Sequence, residues 1–187
     1  MILDDAEILE SLDETEIARQ DILYEVVDGQ WTEKPAMGAW ELGLANRLNV
    51  FIVGYLQGNP IGESFVEMLY RLAREPRLER RPDVSFVPFE RWPTRVVPEA
   101  DAWEMIPALA VEIISKTNTA ETIQGKIKEY FKHGVSLVWV VYPRQRQIQV
   151  YDGPKASRIL DDTDALDGGK VLPGFQLPVV QFLGQPS

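Results

Sequence analysis

The chain has no cysteine and a single histidine, His133, among its 187 residues. Without cysteine there is no disulfide framework, thiolate metal site or cysteine nucleophile, which fits a reducing compartment. One histidine excludes His-rich zinc sites and Ser-His triads, and His133 falls at the end of a predicted helix, where dipole and solvation account for it. No apolar run approaches membrane-spanning length. The opening MILDDAEILESLDETE is acidic and lacks the basic-then-apolar pattern of a leader, so the expected location is the cytoplasm, with no membrane partner. Positive charge is also short. Lys and Arg number 19 against 29 Asp and Glu, a formal net charge of −10, which argues against a general nucleic-acid binder. No internal repeat, low-complexity tract or Pro/Gly-rich linker divides the sequence, so residues 1–187 read as one domain with its core at about 20–183.

What is present is an ordinary globular composition, 45% hydrophobic and 26% charged, arranged in clear periods. A short acidic helix is expected near the N-terminus. YEVVDGQWTEKP follows, two β-prone runs around Asp28-Gly29, the usual dipeptide of a tight hairpin. GAWELGLANRLNVFIVGYLQGNP predicts a long helix with Trp40, Leu44, Leu48, Phe51, Ile52 and Tyr55 on one face, and places Glu41 inside that arc, pointing inward. SFVEMLYRLA and RRPDVSFVPF alternate as strands do. ALAVEIIS and SLVWVVYP are fully apolar strands joined by the helix NTAETIQGKIKEYFKHG, with Asn118 as expected N-cap and Gly134 as terminator. That is a βαβ unit, right-handed, with parallel strands buried on both faces. The segments IQVYDGPKASRIL and GGKVLPGFQLPVVQFLG add hairpins, so the fold class is α/β with α+β margins.

The informative residue is Glu112, a carboxylate near the carboxyl end of a buried strand, the edge where open α/β sheets place ligands. A buried carboxylate costs several kcal/mol unless a cation or donors compensate it. Asp83, after a proline and facing away from Val84 and Phe86, supplies a second acid on the preceding strand. Together they form an oxygen-rich pair suited to Mg²⁺. Lys126 lies on the border of the helix's apolar face, about 40° from Tyr130, and can reach the same sheet edge, whereas Lys128 and Lys132 point away.

Asp83 in RRPDVSFV, Glu112 and Ser115 in LAVEIIS, Lys126 and Tyr130 in KIKEYFKHGV, and the following VWVVYP together resemble the Uma-type restriction-endonuclease family of the PD-(D/E)XK nuclease superfamily. The resemblance runs from about Tyr24 to LPGFQLPV. It implies a restriction-endonuclease-like fold, a central mixed β-sheet flanked by helices, and a metal-dependent phosphodiesterase centre acting on DNA. Asp83 and Glu112 would hold Mg²⁺ or Mn²⁺, with the backbone carbonyl of Ile113 a further ligand and Lys126 in the place of the superfamily lysine. The position two after Glu112, where that lysine usually stands, is Ile114. Lys116 is a rival for the role. Glu41, aligned where the family often has histidine, is a candidate for a second metal or a water. Nucleases of this fold often act as homodimers. The competing class is a catalytically silent nucleic-acid-binding or protein-assembly module on the same fold, favoured by the acidic charge and the displaced lysine.

Arg71, Arg74, Arg77, Arg80 and Arg81 crowd the stretch before Asp83. They read either as a track for a phosphate backbone or as a solvated hairpin paired to Glu75 and Glu79. Ser115 is expected to hydrogen-bond the turn after its strand, and Trp139 to sit in the core.

Overall fold

The computed structural model describes residues 22–184; the helix expected near the N-terminus lies outside them. In chain order the elements are β1 (Tyr24–Val27), β2 (Gln30–Glu33), α1 (Ala39–Gly58), β3 (Gly62–Val66), β4 (Tyr70–Arg74), β5 (Arg77–Arg80), β6 (Val84–Pro88) and β7 (Leu109–Ile113). Then come α2 (Ala120–Lys132), β8 (Leu137–Tyr142), β9 (Gln147–Gly153), β10 (Ala156–Leu160), β11 (Ala165–Gly168), β12 (Leu172–Pro178) and α3 (Val179–Leu183).

A six-stranded mixed sheet, ordered β10-β9-β8-β7-β6-β3, forms the centre. Only β7 and β8 run parallel, with Glu112 opposite Val140, because a crossover helix is needed to return the chain in the same direction. β1 and β2 turn at Asp28 and Gly29, whose φ values of 51° and 83° are what a primed two-residue turn requires. That hairpin joins β5 and β4 in an antiparallel four-stranded sheet, and β11 with β12 makes a separate hairpin.

The central sheet sorts its side chains by strict alternation. Leu109, Val111 and Ile113 of β7 and Val84 and Phe86 of β6 pack against Leu44, Leu48 and Ile52 of α1 and against Phe175 and Phe182. Ala110 of β7 and Val138 and Val140 of β8 face the other way, against Ile123, Ile127 and Tyr130 of α2 and Tyr70 and Leu78 of the small sheet.

Three expectations change. SFVEMLYRLA is not one strand: Glu67, at φ 51°, breaks it, so Gly62–Val66 joins the central sheet and Tyr70–Arg74 the small one. Trp40 is 48% exposed, since it stands at the very start of α1, before the sheet is reached, with Arg144 5.8 Å over its ring. The N-cap of α2 is Thr119, whose side chain accepts from the Thr122 N–H. Asn118 instead accepts from the Ser115 N–H and hydroxyl, closing the turn after β7 and leaving the next residue to cap. Among the described residues no helix is long and apolar enough to cross a membrane.

Candidate active site

Alternation puts Asp83, Ser85 and Val87 on the same face of β6 as Ala110 and Glu112 on β7. Asp83 is tied to β7 at two points: its N–H donates to Val111 O at 2.9 Å, and its Oδ2 accepts the Ile113 N–H at 2.6 Å. The two acids therefore stand side by side where β7 ends, both buried.

Above them runs the buried stripe of α2: Ile123, Lys126, Ile127 and Tyr130. The spacing i, i+3, i+4, i+7 faces the sheet, so the Lys126 ammonium occupies a core position. Its Nζ lies 3.1 Å from Glu112 Oε2 and 2.9 Å from Glu25 Oε1. The Tyr130 hydroxyl donates to Glu112 Oε1 at 2.6 Å. Glu25, on β1, also accepts from Arg80 Nη1 at 2.7 Å and from the Arg81 N–H at 3.0 Å, and Arg80 reaches on to Glu129. Lys34, just after β2, completes the group: its Nζ is 2.8 Å from Asp83 Oδ1 and 3.2 Å from Glu67 Oε1.

Glu25, Glu67, Asp83, Glu112 and Glu129 thus meet Lys34, Lys126 and Arg80, five carboxylates to three cations in direct contact. Burial alone would lower the Lys126 pKa, but Glu112 and Glu25 outweigh it and hold the amine above an ordinary lysine. Lys34 is raised in the same way, burial being overcome by Asp83 and then Glu112. Burial also works against ionised Glu25, yet Lys126 and Arg80 bring its pKa below the usual carboxylate value. Glu112 goes the other way. Burial raises it, Lys126 opposes, and the neighbouring Asp83 and Glu25 charges add to the rise. Tyr130, raised well above a free phenol by burial and by Glu112, stays protonated as a donor.

These groups open onto a cleft of about 270 Å³, walled by Asp83, Glu112, Ile113, Lys34 and Lys126 and lined also by Ser115, Thr117 and Asn118 of the turn after β7. Larger grooves elsewhere, among them those of about 950 and 670 Å³, hold surface pairs such as Arg158–Asp167 and Arg71–Glu104 and no converging buried acids. Among the described residues no group of three or more His, Cys, Asp or Glu forms a metal cage. The protein's share of a coordination shell would be the two carboxylates and a carbonyl. Hard oxygen donors and surplus negative charge fit Mg²⁺ or Mn²⁺, which keep several waters.

The structure brings Asp83, Glu112 and Lys126 together and sets Glu41 apart. Glu41 is the third residue of α1 and is buried, with its carboxylate folded back over Gly38, where an added Cβ would lie 2.5 Å from Oε2. That is the position at which an acid complements a helix N-terminus, and Glu41 is not among the residues lining the cleft. Lys116 is exposed on the turn, and Ser115 bonds that turn through Thr117 and Asn118. The arginine stretch is a hairpin paired in part as expected: Arg71 and Arg77 bond Glu79, which is itself fully buried, Arg74 is exposed and pairs with Glu104, and Arg80 is buried and serves Glu25. Glu25 and Lys34 escape a reading by sequence. Glu25 had one signal, a carboxylate flanked by Tyr24 and Val26 in a strand covered on both sides; Lys34 had none beyond its charge.

The site is thus two acids at the ends of adjacent strands of a mixed sheet, with a lysine above them. The Uma2 family model, described as "Putative restriction endonuclease", matches residues 7–180, and the chain belongs to that family. Its fold is similar to that of "a putative nuclease belonging to DUF820 from Anabaena variabilis ATCC 29413", with a TM-score of 0.76 and 21% identity over 95% of each chain. No curated protein matches the sequence.

Proposed function

We propose that the protein is a metal-dependent nuclease hydrolysing phosphodiester bonds in DNA, with Asp83 and Glu112 holding Mg²⁺ or Mn²⁺ and Lys126 assisting. The observation that carries this reading is the convergence of the two acids and the Lys126 ammonium on one buried sheet edge that opens to a cleft. A divalent ion held there would acidify a water and draw charge from the scissile phosphate. The residues do the rest by position. Asp83 is fixed by the Ile113 N–H, so one oxygen always points to the cleft. Tyr130 and Lys126 pin both oxygens of Glu112. Lys126 spends two of its three N–H donors on Glu25 and Glu112, which leaves one for a phosphate oxygen or the attacking water. The Ile113 carbonyl completes the expected ligand set, and Glu41 serves its helix.

The silent-module reading draws on one observation: Lys34 and Lys126 already neutralise both acids. Plasmid and single-stranded DNA, incubated with Mg²⁺ or Mn²⁺, separate the two. Wild-type protein should cut, and Asp83→Ala and Glu112→Ala should not. Cutting that persists equally in both variants overturns the nuclease reading. We also propose that the chain forms a single domain and a homodimer, tested by limited proteolysis and by light scattering.

A further inference from the structure

Asp83 uses its two oxygens differently. Oδ2 is taken by the Ile113 N–H and fixes the side chain to β7. Oδ1 faces the cleft, and its partner there is the Lys34 ammonium. Lys34 belongs neither to the central sheet nor to its crossover helix; it stands on the connection between β2 and α1. It has a second partner in Glu67, whose side chain is 23% exposed against 5% for Asp83.

We propose that Lys34 is a tethered counter-ion, occupying the cation's place on Asp83 while no metal is bound and withdrawing to Glu67 when a divalent ion arrives. This rests on the reading of Asp83 and Glu112 as the metal-holding pair. A buried Asp83 facing Glu112 with no cation would be an uncompensated charge, so the metal-free protein needs one. A lysine can supply it and let go: its charge is a point on a flexible four-carbon stem with rotatable donors. Because Nζ already touches Glu67, the withdrawal breaks one contact and keeps the other. A divalent ion on Oδ1 and the Lys34 ammonium would repel at contact distance, which favours the arrangement in which Lys34 keeps only Glu67. The consequence is a metal affinity set below what the acid pair alone would give, and an acid pair that is never bare. The bland alternative is that Lys34 merely pins the β2–α1 connection to β6, in which case it stays in place whatever binds.

Mn²⁺ titration followed by electron paramagnetic resonance on the full chain decides, using wild type, Lys34→Met, Asp83→Asn and, as control for loss of one exposed charge nearby, Lys116→Met. The expected result is that Lys34→Met binds Mn²⁺ roughly tenfold more tightly than wild type, Lys116→Met binds as wild type does, and Asp83→Asn binds little. A second measurement needs no variant: reductive methylation of wild type, read by peptide mass, should label Lys34 several-fold faster with saturating Mn²⁺ than with chelator. Lys34→Met no tighter than Lys116→Met, or Lys34 equally protected with Mn²⁺ bound, overturns the inference and leaves the metal pair standing. Binding undiminished in Asp83→Asn, or no binding by any form, removes the pair and the inference together. If Lys34→Met fails to fold, the labelling of wild type settles the matter.

Discussion

The two faces of the central sheet are built on different terms. The face under α1 is filled by Leu44, Leu48, Ile52, Val111, Trp139 and Phe182, all at or near zero exposure, and among the described residues it holds no buried carboxylate apart from Glu41 at the first turn of α1. The face under α2 has its own apolar packing, but sunk into it are Glu25, Arg80, Asp83, Glu112 and Lys126. Among the described residues, the buried side-chain polar atoms without a partner are the Trp139 ring N–H and Asn49 Oδ1, and both belong to elements of the α1 side. A neutral orphan costs about 1–3 kcal/mol and a fold can carry it. A buried charge costs several times that, so on the α2 side every acid of the cluster is partnered. Stability concentrates on one face and poised charge on the other.

The largest effect that tests this division comes from Lys126→Met. It leaves Glu25 and Glu112 facing each other across a buried gap, at a cost of about 3–5 kcal/mol in urea unfolding, and turnover should fall by about 10²–10³-fold. Leu48→Ala on the other face should cost a comparable 2–5 kcal/mol or so while the folded fraction keeps its activity and metal requirement. Adding Glu112→Gln to Lys126→Met should restore much of the lost stability and none of the turnover, because the penalty is unpaired charge and not lost packing. If Leu48→Ala alters the metal requirement as much as Lys126→Met does, the division between faces is not real.

Tyr130→Phe sharpens the same comparison at smaller scale. It keeps the ring in the core but removes the O–H that donates to Glu112 at 2.6 Å, worth about 1.5–3 kcal/mol for a bond to a charged acceptor. Thermal unfolding of the metal-free protein should show the loss, and saturating Mn²⁺ should diminish it, since an ion on Glu112 would replace the missing donor. A Tyr130→Phe loss that Mn²⁺ leaves untouched would mean that the hydroxyl serves packing alone.

The unequal faces also explain what was legible in the sequence. Period-two and period-3.6 patterns report which side of an element is covered, so the hairpin at Asp28-Gly29, the α1 stripe, the parallel pair β7 and β8 and the placement of Lys126 and Glu112 on one face could be read directly. The partners of buried charges could not. Lys34 is 49 residues from Asp83 and Glu25 is 101 from Lys126, and nothing local in either segment encodes where a long side chain ends. The break at Glu67 was hidden for a related reason: a non-glycine residue at φ 51° is imposed by two sheets pulling one strand apart. Glu41 read as inward because it is inward. That its carboxylate turns back over Gly38 instead of onward to the cleft depends on the missing Cβ at that position, which a helical wheel does not include.

The smallest effect is the dependence of stability on pH, measured with chelator present, and it carries two opposed signs. Glu25 has a depressed folded pKa. Its contribution is therefore complete above about pH 4.3, the unfolded value, and is lost as pH falls through the lower folded value. Glu112 has a raised folded pKa, so the folded state binds its proton more tightly than the unfolded chain, and stability rises as pH falls from neutrality toward about 4.3. Wild type should thus gain slightly on mild acidification before losing stability below about pH 4. Glu112→Gln should abolish the gain, and Glu25→Gln should flatten the later loss. Urea midpoints from pH 8 to pH 3 read both. Leu48→Ala, lying on the uncharged face, should shift the whole curve down without changing its shape. A wild-type curve that falls steadily from neutrality and keeps its shape in both glutamine variants would mean that the surplus of carboxylates over cations is not felt by Glu112.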